Sequence, residues 1–210
     1  MTYFADLIRG YHRFRETGWK AERARWAELS QGQSPKVMVI ACSDSRVDPA
    51  QIFGASPGDV FIVRNVAALV PPFETSEGLH GVSAALEFAV TQLEVEEIVV
   101  MGHGMCGGCA AALQDSFRDA ARGAGGFIGD WMGLLDEARE RTVAEHGQGQ
   151  TALDAMEHEA VKVSLANLRS FPFVETRESA GNLKLHGAWF AISGGILHLL
   201  DEASGSFSPA

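Results

Sequence analysis

Apolar positions follow two rhythms along this chain. Near its start, Phe4, Leu7, Ile8, Tyr11 and Phe14 recur at helical spacing and Trp19 and Trp26 follow, which predicts one or two amphipathic helices over residues 3 to about 29. Residues 31–35 read as a linker. Then come three short β-branched runs, at residues 36–41, 59–63 and 97–101, bounded by Pro35, Pro57-Gly58, Gly102 and the polar Ser43-Asp44-Ser45. Val82, Ala85, Leu86, Ala89 and Leu93 predict a helix over 79–93, and further helices are predicted over 110–117, 131–144 and 152–170. Residues 183–199 alternate around Ser193-Gly194-Gly195 and predict a hairpin added to a sheet edge. Continuous apolar strands alternating with helices indicate a buried parallel sheet. The expected fold class is α/β: a mostly parallel four- to five-stranded sheet flanked by helices, with an N-terminal helical arm over 1–30, a core over 36–201 and a C-terminal edge hairpin, all in one domain of 210 residues.

Composition narrows the function. A hydrophobic content of 46% is enough for a sizeable core, and a net charge of -10 argues against a nucleic-acid partner, which needs a basic face. The three cysteines, Cys42, Cys106 and Cys109, are too few and too odd for a disulfide framework, so a reducing, cytoplasmic setting is expected. Residues 1–10 carry no apolar signal core, and no apolar run is long enough to span a bilayer, so no membrane partner is expected.

The chemistry gathers in two segments, Cys42-Ser-Asp-Ser-Arg46 and His103-Gly-Met-Cys106. Cys42 is predicted at the carboxyl end of one strand and His103 at that of another, the edge where open α/β sheets build their sites. Two thiolates and one imidazole make a zinc set with its fourth position open, as in catalytic rather than structural sites. Asp44 and Arg46, two apart on an extended segment, would point the same way, and an arginine would keep the carboxylate ionised and oriented beside the metal. Other readings stay open. The cysteines could be core thiols, His103 a satisfied loop residue, and Asp44 a turn cap with Arg46 in a surface ion pair. Cys109 reads as a buried helix residue, or a substitute for Cys106. His80 could relay protons, and His158, His186 and His198 read as structural or exposed.

These two segments, with Arg64-Asn65-Val66-Ala67 between them and Gly107-Gly108 after Cys106, resemble the β-class carbonic anhydrases, continuously from about Gln33 to Leu113 and more weakly at residues 185–201. The resemblance implies a zinc enzyme interconverting carbon dioxide and bicarbonate, with one zinc per chain on Cys42, His103 and Cys106. It implies Asp44 and Arg46 as the dyad beside the metal, with Asp44 joining the zinc as fourth ligand in a closed state. Finer positions favour the plant-like branch: Gln33 matches a glutamine reaching substrate from a neighbouring subunit, and Phe61, Val66 and Phe88 match pocket positions. Gly104 departs from the Ser or Tyr common in the family. The expected assembly is a homodimer or homotetramer with the site near the subunit interface. Rival readings are a carbonyl sulfide or carbon disulfide hydrolase on the same scaffold, a non-catalytic zinc- or redox-sensing module, and a metal-free cysteine hydrolase.

Overall fold

A computed structural model describes residues 2–210. The chain divides into two units, Met1–Ser34 and Pro35–Ala210. In the first, the predicted one or two helices are three: α1 (Phe4–Glu16), α2 (Gly18–Ala21) and α3 (Arg23–Leu29). Thr17 makes the first break, its hydroxyl donating to the Arg13 carbonyl at 2.8 Å in place of a continued helix. Phe14 packs edge-on against Trp26, with ring centroids 5.8 Å apart. Tyr3, just before α1, and Phe4, Leu7 and Tyr11 within it are exposed.

The second unit runs β1 (Val37–Cys42), α4 (Pro49–Ile52), β2 (Val60–Asn65), α5 (Gly81–Glu87), β3 (Glu97–His103), α6 (Gly107–Leu113), α7 (Gly126–Met132), α8 (Asp136–His146), α9 (Gln150–Arg169), α10 (Pro172–Ser179), β4 (Lys184–Ala191), β5 (Ile196–Asp201) and β6 (Ser206–Pro209). The six-stranded sheet has the order β2-β1-β3-β4-β5-β6. Its first four strands are parallel and β5 and β6 antiparallel. One more strand exists than the pattern predicted, because β6 is four residues of Ser-Phe-Ser-Pro with no apolar alternation to announce it. Nor is the C-terminal segment only an edge hairpin: β4 lies inside the sheet, parallel to β3.

Side-chain alternation sorts the core. Met38, Ile40, Ile98 and Val100 point to one face, where Val161, Leu165 and Leu168 of α9, Leu86 of α5 and Val174 of α10 meet them. Val39, Ala41, Met101 and Ala188 belong to a separate cluster, joined by Ile52 of α4. The helix expected over 131–144 is broken: a 3-10 turn at Gly133–Leu135 separates α7 from α8. The helix expected from residue 110 starts at Gly107, and that over 79–93 starts at Gly81 and passes into a π turn, Phe88–Gln92. Among the described residues no helix is long and apolar enough to cross a membrane.

For the site, the consequence is local. β1 and β3 are parallel neighbours, with Ala41 opposite Met101. Their last residues, Cys42 and His103, therefore finish side by side at the carboxyl edge of the sheet.

Candidate metal centre

Cys42 closes β1, His103 closes β3, and Cys106 caps α6 after a two-residue turn. Their Sγ, Nε2 or Nδ1, and Sγ donor atoms lie within 4.8 Å of one another, all on buried residues. His103 Nδ1 lies 2.9 Å from the Gly104 carbonyl oxygen. A proton there fixes the tautomer and leaves the Nε2 lone pair free. Nε2 is buried and finds no hydrogen-bond partner. An orphaned buried nitrogen between two thiols is costly unless a cation completes it. Hydrogen bonding to Cys106, then burial, pushes the Cys42 thiol up to about 12, and hydrogen bonding to Cys109 first of all does the same to Cys106. The donor set of two sulfurs and one imidazole suits zinc, which accepts both as its ordinary ligands.

A pH-dependent outcome follows from these raised thiols. Both must lose protons to bind zinc, so uptake near neutral pH should release about two protons per ion, and affinity should climb as pH rises. Titration calorimetry in buffers of different ionisation enthalpy checks this. Release of well under one proton would show that the thiols already stand as thiolates.

Asp44 and Arg46 do face each other, but not on an extended segment. Ser45 and Arg46 form a turn in which the Arg46 backbone N–H donates to Asp44 Oδ1 at 2.9 Å. The guanidinium closes the pair, with Nε 2.9 Å from Oδ1 and Nη2 2.6 Å from Oδ2. This two-point clamp holds the Asp44 carboxyl well below the usual carboxylate range. Asp44 Oδ2 lies 4.0 Å from His103 Nε2. Arg64 reaches across from β2 to the backbone: it donates to the carbonyls of Cys42 at 2.9 Å, Asp44 at 2.7 Å and Val47 at 3.2 Å. It thus ties the loop after β1 to the sheet.

Pattern reading passed over a fourth group, Glu157. It lies in α9, is 1% exposed, and accepts from the Cys106 backbone N–H at 2.9 Å and from Trp189 Nε1 at 3.1 Å. Burial pushes its carboxyl up to about 7, against those two donors. A signal was present: at helical spacing Glu157 falls in line with Leu153, Val161 and Leu165, so an acid occupies a core row. Trp189 also explains Gly104, because a Cβ there would stand 3.2 Å from its Cζ2. Gly108 lets α6 approach the turn after β2, where a Cβ would meet Val66 Cγ1 at 2.8 Å. Three non-glycine residues near the centre hold left-handed backbone: Ala67 (φ 64), Ala68 (φ 55) and Met105 (φ 58). Such conformers cost on the order of 1–3 kcal/mol each and persist where surroundings over-determine them.

The other predicted positions are not among the three clustered donors. Val66 is exposed beside the turn and its carbonyl accepts from Trp131 Nε1 at 2.9 Å. Phe61 is opposite Met38 in β1, whereas Asn65 is opposite Cys42. At about 3.3 Å per residue, Phe61 is roughly 13 Å back along the strand from the metal edge. Phe88 packs on Phe61, with centroids 6.0 Å apart, and is 45% exposed. Gln33 belongs to the first unit and is exposed. His80 Nε2 meets the Ser76 carbonyl at 3.1 Å and its Nδ1 is 3.4 Å from Glu74. Cys109 is buried in α6, outside the three-donor cluster.

The fold and the donor set together define an α/β metalloprotein with a zinc-type centre at the carboxyl edge of its parallel strands. A family model described as carbonic anhydrase matches residues 37–197. The chain is 36% identical to β-carbonic anhydrase 5 of the Arabidopsis thaliana chloroplast, a match covering 89% of this chain but only 61% of that protein. It is 37% identical to a carbonic anhydrase of Pseudomonas aeruginosa, over 96% of this chain and 90% of the other. In structure it superposes on the β-carbonic anhydrase CcaA with a TM-score of 0.91 and 31% identity, covering 100% of both chains. It also superposes on a tetrameric β-carbonic anhydrase of Sordaria macrospora with a TM-score of 0.80 and 27% identity, covering 94% of this chain and 96% of the other. The chain belongs to the carbonic anhydrase family, in its β class. Plant and bacterial relatives match almost equally, so identity does not single out the plant-like branch.

Proposed function

We propose that this chain interconverts carbon dioxide and bicarbonate at the centre formed by Cys42, His103, Cys106, Asp44 and Arg46. The observation that carries this reading is the doubly clamped Asp44 carboxylate, 4.0 Å from the unpartnered His103 Nε2. Zinc on the three donors would supply acidified water near neutral pH. Asp44, fixed by Arg46, would accept a hydrogen bond from that water and so orient it. Arg64 keeps the Cys42–Val47 backbone still while this happens. Both Asp44 oxygens are engaged by Arg46, which supports the open arrangement with Asp44 off the metal.

Gln33, Phe61, Val66 and Phe88 are assigned to the substrate side. Val66 flanks the centre in its own chain. Phe61 stands too far back along β2 to line that chain's own centre, and Phe88 packs on it from the turn after α5, which supports their serving the centre of a neighbouring copy, together with Gln33. The exposed apolar face of α1 supports an assembly as well, since soluble chains seldom leave such a patch uncovered. The Sordaria neighbours are tetramers; a dimer or tetramer with the centre near a subunit boundary is the form assigned here. Phe4→Ser combined with Leu7→Ser should lower the mass measured by light scattering and reduce hydration with it. An unchanged mass would remove α1 from the interface. The three cysteines are all free, in keeping with a reducing, cytoplasmic location.

Stopped-flow hydration of carbon dioxide, with zinc measured on the same sample, tests the proposal. Turnover proportional to zinc is expected, at about one ion per chain, the number one such donor set holds. A zinc-loaded protein inert toward carbon dioxide but active on carbonyl sulfide would replace the reading with the sulfur-substrate hydrolase.

A further inference from the structure

The Met105–Cys106 peptide unit is held from both ends. Its carbonyl accepts from Arg46 Nη2 at 2.9 Å, and its N–H donates to Glu157 Oε1 at 2.9 Å. The same Nη2 binds Asp44 Oδ2 at 2.6 Å. One continuous line of hydrogen bonds therefore runs from buried Glu157, through a single peptide plane, to Arg46 and Asp44. The plane follows Met105, which holds φ 58 without being glycine. Removing either anchor would let this residue relax toward an ordinary conformation and swing the Cys106 sulfur with it.

We propose that Glu157 is a positioning residue for the metal centre: by holding the Cys106 amide it sets both the Cys106 thiolate and, through the same peptide, the Arg46–Asp44 pair. The assignment deepens the function proposed above and rests on Cys106 being a zinc ligand.

Glutamate is required at this place by the donor count. Cys106 N–H and Trp189 Nε1–H converge on one side chain, and a carboxylate can accept from both. A glutamine accepts from one and turns its own N–H2 against the other. Trp189 has little freedom to yield. Its ring is held edge-on by His158 at 5.0 Å and His198 at 5.3 Å, and Phe207 stacks on His158 at 4.2 Å. The hairpin β5–β6 thus braces Trp189, Trp189 braces Glu157, and Glu157 braces the metal loop.

The test reads metal binding rather than turnover. In Glu157→Gln, chelator competition should show zinc held about 10–100-fold more weakly, the usual cost of losing a partner behind a metal ligand. The cobalt(II)-substituted variant should show an altered thiolate-to-cobalt absorption band. Glu157→Gln with Trp189→Phe removes the competing donor and keeps an acceptor for Cys106, so it should regain zinc affinity and the parental band. A purely packing role for Glu157 would gain nothing from that second change. Parental zinc affinity and band in Glu157→Gln would overturn the proposal, as would a double variant no better than the single one. If the single variant does not fold, the double variant decides alone, with parental binding supporting the proposal and weak binding in a folded protein overturning it. Both readouts are taken without substrate. Failure of the parent to hydrate carbon dioxide would therefore count against the proposed reaction and leave this assignment standing.

Discussion

Cys42→Ser and His103→Ala are each expected to lose zinc and activity together. Serine cannot replace the thiolate, because its hydroxyl stays protonated where a zinc-bound thiol ionises. Alanine at 103 removes Nε2, a ring nitrogen that the structure leaves buried and without a hydrogen-bond partner. With three protein ligands, loss of one leaves two, below the number that catalytic zinc sites use. Hydration should drop to the rate of a metal-free control, and elemental analysis should find zinc well below one per chain. The fold should survive in both variants, since each residue ends its strand and the ladder there pairs backbone groups that neither substitution alters. Full zinc in either protein would sink the ligand assignment.

Asp44→Asn should separate the two properties: zinc is kept, while hydration slows by about 10²-fold or more, the scale of a positioned catalytic group. The substitution is nearly isosteric but offers Arg46 one oxygen in place of two, and it puts an N–H2 where a hydrogen-bond acceptor is needed. The carboxyl of Asp44 is depressed by Arg46, so it stays ionised as pH falls through the normal carboxylate range. The sign is therefore clear. Activity lost on mild acidification should come from the metal centre and not from Asp44, so the mutant should keep the parental pH profile at a lower level. Stopped flow from pH 6.5 to 9 on zinc-matched samples reads both effects, on the order of the range where such water titrates. Near-normal turnover would remove Asp44 from the mechanism.

The three clustered donors and the strands that lead to them were legible because their signals are short. Val37–Cys42 is a continuous apolar run that stops at a polar turn, and Ile98–Met101 is the apolar centre of a strand that runs two residues further, to His103. α9 was legible to within two residues because its apolar row repeats over 20 positions. The break between α7 and α8 was not, since the apolar spacing runs on through Gly133–Leu135 and only packing decides that the axis turns. β6 was missed because four residues carry too little pattern. The mutual orientation of Asp44 and Arg46 was anticipated, but its origin is a turn closed by the Asp44 side chain and not an extended segment.

By itself, then, the sequence determined the α/β alternation, the three zinc-type donors and the acid–arginine pair beside them. Each is a local arrangement of residue types, carried by a few neighbouring positions. Only the tertiary structure decided that β4 lies between β3 and β5, that Phe61 and Phe88 sit away from their own chain's centre, and that Glu157 stands buried behind Cys106. These depend on which distant segments share a sheet edge or a core row. That choice is made by summed burial across the whole fold, a non-local quantity that no short stretch of sequence contains.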